Sequence, residues 1–144
     1  MPIRIAQPAD LPSIIAVYNA AIPGRMATAD TTPVTVAQRR GWFAEFDEIA
    51  RPLWVCCDAE DASVQGWLSV RSFYGRPAYH ATVEIGVYVA PSARRKGIAR
   101  RLLAHALEHA PALGIRTLLA FVFGHNAPSF TLFEKSGFSV WGTL

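Results

Sequence analysis

The segment 82–103 constrains the fold of this chain more than any other, because a strand, a basic loop and a helix follow one another in it. Residues 82–89 are rich in β-branched side chains and predict a strand. An apolar stripe at helical spacing begins at Ile98 and predicts a helix. Small residues at Gly97 and Ala99 let the backbone approach a ligand closely. Because the first amides of a helix have no intrahelical partners and carry the positive end of its dipole, this unit predicts a binding site for a diphosphate group.

The composition fits one folded domain, residues 1–144, with a small anionic ligand. Hydrophobic residues make up 51% of the chain and charged residues 17%, which argues against disorder. The net charge is only +3, and the basic excess is local. Proteins that bind nucleic acids more often carry broad basic surfaces with exposed aromatics, so we expect no nucleic-acid partner. The clustered basic residues are Arg94, Arg95, Lys96, Arg100, Arg101 and His105.

The two cysteines predict neither a disulfide nor a metal site. Cys56 and Cys57 are adjacent in an apolar run, and successive strand residues point to opposite faces. No C-x-x-C or matching histidine pair accompanies them, so we expect no bound metal. We expect two half-buried free thiols in a reducing cytoplasm. The sequence shows neither a signal peptide nor an apolar run of about 18 residues, which predicts a cytoplasmic protein without a membrane partner.

Periodicity along the chain predicts an α/β domain in the order β-α-α-β-β-β-α-β-α-β. The run 117–123 is almost continuously apolar, which is typical of a strand at the centre of a covered sheet. Asn126 is placed to cap the last helix. The predicted strands are 3–6, 53–57, 64–70, 82–89, 117–123 and 138–141, and the predicted helices follow Asp10, span 36–49, and begin near Ile98 and Asn126.

Two regions of the chain resemble one known family. A strand with one carboxylate, Glu84, followed by R-x-x-G-x-A and a helix resembles motif A of the GCN5-related N-acetyltransferases (GNAT). The stretch N-x-P-S-x-x-L-F-E-K-x-G-F, which begins at Asn126, resembles their last helix and strand. Two other phosphate-binding patterns, G-x-x-x-x-G-K-S/T and G-x-G-x-x-G, are absent. The resemblance covers almost the whole chain and implies a GNAT fold, with a central mixed twisted sheet, helices on both faces and a splay between the fourth and fifth strands. It also implies acetyl-CoA as cosubstrate.

The N-terminal half resembles one branch of that family, the phosphinothricin and methionine sulfoximine/sulfone acetyltransferases. The matching stretches are 18–22, 31–35, 40–43, 66–67, 76–79 and 82–84. This resemblance implies direct acetylation of the α-amine of a small amino acid or analogue, and it implies a homodimer. Two alternatives stay open. One is a module that binds acyl-CoA without turnover, and the other is an acetyltransferase for a protein N-terminus or lysine.

The chain departs from the family pattern at three places. Relatives usually continue past the Gly142 region into a further strand, so we expect a sheet without its C-terminal strand. Either a partner chain covers the edge that this leaves exposed, or the protein is a shortened form. Phe133 stands where many acetyltransferases have a tyrosine that protonates the departing thiolate, and it has no proton to give. Gly86 stands where relatives often have serine or threonine.

The resemblance also implies roles for individual residues. Glu84, on a central strand and partly removed from water, is the candidate base for the acceptor amine. The alternative is a structural carboxylate paired with Arg76. Arg76 and Tyr79, together with Glu84, are the candidates for binding the substrate, because a guanidinium fork suits a carboxylate.

The cosubstrate is expected to bind along the strand, the loop and the helix start. Main-chain groups of Val87 and Val89 are expected to bond the pantetheine, and an amide near Val87 or Tyr88 is expected to bond the thioester oxygen. Asn126 either contacts the cosubstrate or only caps its helix. The residues implied for acetyl-CoA are Val87, Tyr88, Val89, Arg94, Arg95, Lys96, Gly97, Ile98, Ala99, Arg100 and Asn126.

Overall fold

A mixed sheet of five strands forms the centre of the part of the chain that the computed structural model describes, residues 1–23, 30–73, 80–122 and 126–142. The strands are β1 (Ile3–Ile5), β2 (Leu53–Cys57), β3 (Val64–Ser72), β4 (Thr82–Val89) and β5 (Thr117–Leu119). They lie side by side in chain order. The first three pairs are antiparallel, and β4 and β5 are parallel.

Helices cover both faces of this sheet. Those in the described residues are α1 (Leu11–Asn19), α2 (Val36–Ala44), α3 (Ile98–His109) and α4 (Ala127–Lys135). α3 buries Leu102 against Leu68 and Val83 on one face, whereas α1 buries Ile14 against Val55 on the other. The predicted α/β architecture, with helices on both faces, is confirmed. None of these helices is long and apolar enough to cross a lipid bilayer.

β4 and β5 diverge after three residue pairs. They pair from Thr82 with Thr117 to Glu84 with Leu119, and β4 then continues to Val89 beside β3 alone. The splay predicted between the fourth and fifth strands is therefore confirmed. It leaves the second half of β4 with one edge that no described strand covers.

The second helix is shorter than predicted. The prediction placed it over 36–49, and α2 ends at Ala44. The Asp47 carboxylate accepts hydrogen bonds from the backbone N–H groups of Ile49 and Ala50 at 2.9 and 2.7 Å. Such bonds offer the backbone an alternative to the helix, so the chain turns here. Ile49, predicted to lie on or near the apolar face, is exposed.

The apolar run 117–123 does not form a central strand. β5 covers only its first three residues and lies at the edge of the sheet, while residue 123 is outside the described residues. The physical reason is the splay, because beyond Leu119 no described strand is close enough to pair with this segment. Ala120, Phe121 and Val122 line a cavity instead.

The strand predicted over 138–141 is also wrong. Residues 138–142 contain no strand, and the Val140 and Trp141 side chains are 67% and 82% exposed. Within the described ranges no strand lies beside this segment, so its backbone groups have no ladder to join.

Both cysteine thiols are free and more deeply buried than predicted. Cys56 belongs to the core under α3 and Cys57 to the core under α1, which confirms that they point to opposite faces. Burial raises the pKa of both thiols. They therefore stay protonated and unreactive at neutral pH.

Protonation of His105 is expected to weaken the fold. Its ring meets Trp54 at a centroid distance of 4.7 Å and stacks on His109 at 4.0 Å. Burial, followed by the neighbouring His109, lowers the pKa of His105 below its ordinary value of 6.5. A base whose pKa is lower in the folded state contributes stability above its unfolded-state pKa and loses it as the pH falls. The free energy of unfolding is thus expected to fall below about pH 6.5, by less than about 1 kcal/mol because solvent screens a half-exposed ring.

Urea unfolding at a series of pH values measures this decline. The His105→Gln variant is expected to show a flatter dependence over the same range. An identical slope in the variant and in the original protein would contradict the assignment to His105.

Candidate active site

The loop between β4 and α3 presents a group of unpaired backbone donors. Gly97 precedes the helix in a left-handed conformation with φ 75°, and Arg95 is also left-handed with φ 66°. The N–H groups of residues 97–100 have no hydrogen-bond acceptor among the described residues, and the helix starts with the bond from Arg101 N–H to Gly97 C=O at 3.0 Å. A Cβ added to Gly97 would meet no atom within 4 Å, so the backbone is open to a ligand there.

The charges around this loop suit an anionic ligand. Arg94, Arg95, Lys96 and Arg100 are exposed, and none of them forms an ion pair within the described parts of the chain. Ile98 is buried in the core under α3, so it offers only its backbone. Free donors at a helix start, a glycine and unpaired cations together fit a diphosphate group.

The open half of β4 directs the main chain of alternate residues away from β3. Ala90 N–H donates to Gln65 C=O at 2.8 Å, and Phe73 N–H donates to Thr82 C=O at 3.3 Å. Because the register between them is regular, the even-numbered residues of β4 bond β3. The N–H and C=O groups of Val87 and Val89 therefore point to the side from which β5 has diverged.

A cavity of about 80 Å³ lies in this gap between β4 and the chain after β5, and we call it the slot. The alternation along β4 means that the amide of Val87, rather than that of Tyr88, faces the slot. Asn126 is buried at its wall and accepts a hydrogen bond from Ser129 N–H at 3.2 Å, which confirms the predicted helix cap. The residues that line the slot are Ile85, Gly86, Val87, Tyr88, Ala120, Phe121, Val122, Asn126, Ser129 and Phe133.

A second cavity, of about 170 Å³, lies on the α1 face of β3 and β4, and we call it the aromatic cavity. Gly86 and Tyr88 line both cavities, so the two meet at β4. The two cavities are therefore adjacent, with these two residues between them. The residues that line the aromatic cavity are Ile15, Tyr18, Arg39, Trp42, Trp67, Ser69, Arg71, Glu84, Gly86 and Tyr88.

Aromatic rings in mutual contact form the walls of this cavity. The Trp67 ring lies 5.6 Å from that of Trp42 and 4.8 Å from that of Tyr88, between centroids. Tyr18 meets Tyr88 edge-on at 5.1 Å. The Arg39 guanidinium lies over the rings of Tyr18 and Trp42, at 5.1 and 5.7 Å from their centroids. These contacts fix the rings, so the cavity has a defined shape before a ligand arrives.

Glu84 lies on the floor of the aromatic cavity. It is half-buried, and its carboxylate has no hydrogen-bond or ion-pair partner among the described residues. It stands opposite Arg71 in the register of β3 and β4, but Arg71 pairs with Glu45 at 3.4 Å. The pairing with Arg76 that the sequence left open, and the substrate contacts predicted for Arg76 and Tyr79, fall outside the described residues.

Three polar residues of the aromatic cavity were not predicted from the sequence. Two of them, Ser69 and Arg71, follow Trp67 at alternate positions of β3. The side chains of Trp67, Ser69 and Arg71 therefore point to the same face of the sheet. Polar residues at alternate positions of an otherwise apolar strand are the signal that identifies them. Arg39 has no comparable signal, because its position depends on how α2 packs against the sheet.

Known proteins are similar to this chain in sequence and in fold. The model of the acetyltransferase (GNAT) family matches residues 16–138. The protein YwnH of Bacillus subtilis, which carries the provisional name phosphinothricin acetyltransferase, is 50% identical over 99% of this chain and 86% of its own length. The L-methionine sulfoximine/L-methionine sulfone acetyltransferase of Pseudomonas aeruginosa is 35% identical over 99% of this chain and 82% of its own length.

A solved structure adds the cosubstrate. The phosphinothricin acetyltransferase of the GNAT superfamily from Sinorhizobium meliloti, solved in complex with AcCoA, superposes with a TM-score of 0.91 at 33% identity, over 98% of this chain and 76% of that one. The family match contains the loop and all the residues that line the slot and the aromatic cavity, except Ile15. The chain therefore belongs to the acetyltransferase (GNAT) family, as an enzyme whose cosubstrate is acetyl-CoA.

Proposed function

We propose that this acetyltransferase acts on the α-amine of a small free amino acid or analogue, of the methionine sulfone, methionine sulfoximine or phosphinothricin type. The proposal rests on one observation. Gly86 and Tyr88 line both the slot and the aromatic cavity, so the two cavities are adjacent. Direct transfer requires the acceptor and the thioester to be held in contact. The names of the relatives support the same class of acceptor.

The cosubstrate is assigned to the loop and the slot. The N–H donors of residues 97–100 bind its diphosphate, and the exposed cations Arg94, Arg95, Lys96 and Arg100 add attraction over a longer distance. The main-chain groups of Val87 and Val89 bond its pantetheine, as a neighbouring strand would. When bound, acetyl-CoA would supply the acetyl group, which passes from sulfur to the amine nitrogen while CoA leaves as its thiolate. The N–H of Val87 is the donor assigned to the thioester oxygen.

Glu84 is assigned the role of base. An α-ammonium group attacks no thioester until it has lost a proton, so a nearby acceptor of that proton raises the rate. The Glu84 carboxylate lines the aromatic cavity and has no partner among the described residues, so it is free to take the proton. It lies two residues from Gly86, which lines both cavities, and this supports a role for Glu84 next to the acceptor.

The shape of the aromatic cavity favours a free amino acid over a protein acceptor. Its volume of about 170 Å³ and its aromatic walls suit one compact molecule. The alternative of a module that binds acyl-CoA without turnover is supported by one observation, that Phe133 lines the slot and carries no exchangeable proton.

Release of free CoA tests the proposal. The protein is mixed with acetyl-CoA and, in turn, with methionine sulfone, methionine sulfoximine, phosphinothricin and a short peptide with a free N-terminus, and a thiol reagent detects CoA. The buried thiols Cys56 and Cys57 keep the background low. Turnover is expected with free amino acids and not with the peptide. Tight binding of acetyl-CoA without any turnover would overturn the proposal in favour of the binding module.

The predicted homodimer and cytoplasmic location stay predictions. Light scattering after size-exclusion chromatography measures the mass of the particle in solution. A mass of twice that of the 15.7-kDa chain is the result expected for the homodimer.

A further inference from the structure

We infer that Arg71 binds the α-carboxylate of the acceptor while Ser69 and Glu84 hold its α-amine, so that the aromatic cavity selects free α-amino acids over amines without a carboxylate. This inference rests on the proposed function, and it names the residues that define the substrate class.

The floor of the aromatic cavity is a patch of four neighbouring positions. Arg71 stands opposite Glu84, and Ser69 stands opposite Gly86. All four line the cavity, and cross-strand neighbours on one face have Cβ atoms about 5 Å apart. A Cβ added to Gly86 would lie 3.1 Å from the Ser69 hydroxyl oxygen. A side chain at this position would therefore crowd the Ser69 hydroxyl, whereas glycine leaves that hydroxyl clear.

The polar groups of this patch are not engaged with one another. The Ser69 residue is only 5% exposed, yet its hydroxyl has no hydrogen-bond partner within the described ranges. Among the described residues no fully buried side-chain oxygen or nitrogen lacks a partner, so the Ser69 hydroxyl is reached from the aromatic cavity, where a ligand group can bond it. Glu84 is equally without a partner in the described part of the chain. Both groups face the same cavity.

Arg71 is held only loosely. Its described partner, Glu45, lies 3.4 Å away, and the two side chains are 49% and 59% exposed. An exposed ion pair of this kind contributes little to stability, because water screens the charges and two long side chains must be held in place. A ligand carboxylate can therefore replace Glu45 at small cost. The guanidinium fork then bonds both carboxylate oxygens.

The charges of the patch are complementary to those of an α-amino acid. Arg71 and Glu84 carry opposite charges on neighbouring strands and do not pair with each other. An α-amino acid carries a carboxylate and an ammonium group on one carbon atom, so it fits between them with both charges matched. A simple amine leaves Arg71 unmatched, and a peptide N-terminus lacks the adjacent carboxylate.

Arg39 is the other cation of the cavity, and it is less suited to this role. Its guanidinium pairs with Asp30 at 3.3 Å and lies over the rings of Tyr18 and Trp42. It is part of the wall and does not stand opposite Glu84. Arg39→Gln is therefore a matched control, because it removes the same charge from the same cavity.

The test compares methionine sulfone with its carboxamide, which has nearly the same shape and no carboxylate charge. Arg71→Gln is expected to raise the KM for the acid about 10-fold or more and the KM for the amide less than about 3-fold. Arg39→Gln and Ser69→Ala are each expected to change the KM for the acid and the KM for the amide by the same factor. Neither residue is assigned to the carboxylate, and the acid and the amide have the same α-amine. Equal changes for acid and amide in Arg71→Gln would overturn the inference.

Glu45→Gln separates recognition of the acceptor from a structural role of the ion pair. If Arg71 acts by binding the acceptor, the loss of Glu45 frees it, and the KM for the acid stays the same or falls. A rise in that KM equal to the rise in Arg71→Gln would assign both residues to the structure of the cavity and overturn the inference.

Failure of the proposed function gives a different result. If the original protein releases no CoA with any amine, the proposed function fails, and calorimetric titration with the acid and the amide still tests the role of Arg71. A preference for the acid that disappears in Arg71→Gln supports the inference. Equal affinity for acid and amide in the original protein overturns it.

Discussion

Replacement of Gly97 by glutamate is expected to abolish measurable binding of acetyl-CoA, with a loss of more than about 100-fold in affinity. The new side chain fills the open space beside the N–H groups of residues 97–100 and brings a negative charge to the site assigned to the diphosphate. Hydrogen bonds to charged groups contribute about 1.5–3 kcal/mol each, and the loss of two of them is enough for this effect. Isothermal titration calorimetry with acetyl-CoA measures the change.

Gly114→Glu is the matched control for this variant. Gly114 has nearly the same left-handed backbone, with φ 74° against 75° at Gly97, and it also has open space around an added Cβ. Both variants place the same charge on the same kind of strained backbone, at a cost of about 1–2 kcal/mol in stability. Only Gly97→Glu is expected to lose the cosubstrate. Retained binding in Gly97→Glu, or an equal loss in Gly114→Glu, would disprove the role of the loop.

Replacement of Glu84 by glutamine is expected to lower turnover about 100-fold or more, while the affinity for acetyl-CoA changes less than about 3-fold. Glutamine keeps the size of the side chain and cannot take the proton of the acceptor. The amine must then lose its proton to solvent, so the rate of the variant should rise more steeply with pH. Steady-state rates over a pH series, together with calorimetry, measure both effects.

Glu60→Gln controls for the loss of one negative charge. Glu60 is exposed in the turn between β2 and β3, away from the residues that line either cavity. Turnover in this variant is expected to match that of the original protein. A pH profile of Glu84→Gln that runs parallel to the original, with equal activity, would leave Glu84 with a structural role only.

The sequence predicts most helices and strands of this protein because their patterns are local. The segment 82–89 has β-branched side chains at alternate positions, and the stripe from Ile98 to Ala106 repeats at the period of a helix, so each identifies its own element. The predictions fail where the structure of a segment depends on which other groups lie beside it. The run 117–123 has the composition of a buried strand, but only three of its residues have a strand beside them. Likewise, the apolar pattern of α2 continues to Ile49, but the Asp47 carboxylate bonds the backbone N–H groups of Ile49 and Ala50, and the chain turns there.

The candidate site divides in the same way. The donors of residues 97–100 and the cations beside them are adjacent in the chain, so their association was predictable from a glycine, a basic run and a helix start. The aromatic cavity combines residues from α1, α2, β3 and β4, which are far apart in sequence. No local pattern reports that Ser69 faces Gly86 or that Arg71 faces Glu84, since both facts depend on the register of two strands.

Backbone preferences and apolar periodicity along the chain were thus sufficient to indicate most of the strands and helices and a loop suited to phosphate, whereas the layout of the sheet was implied by the family resemblance. The extent of the splay between β4 and β5, the slot it opens and the polar patch of the aromatic cavity came only from tertiary packing. The reason is physical. A loop and a helix start are set by the torsion angles of consecutive residues, whereas a cavity exists only where separate elements meet and fail to fill the space between them.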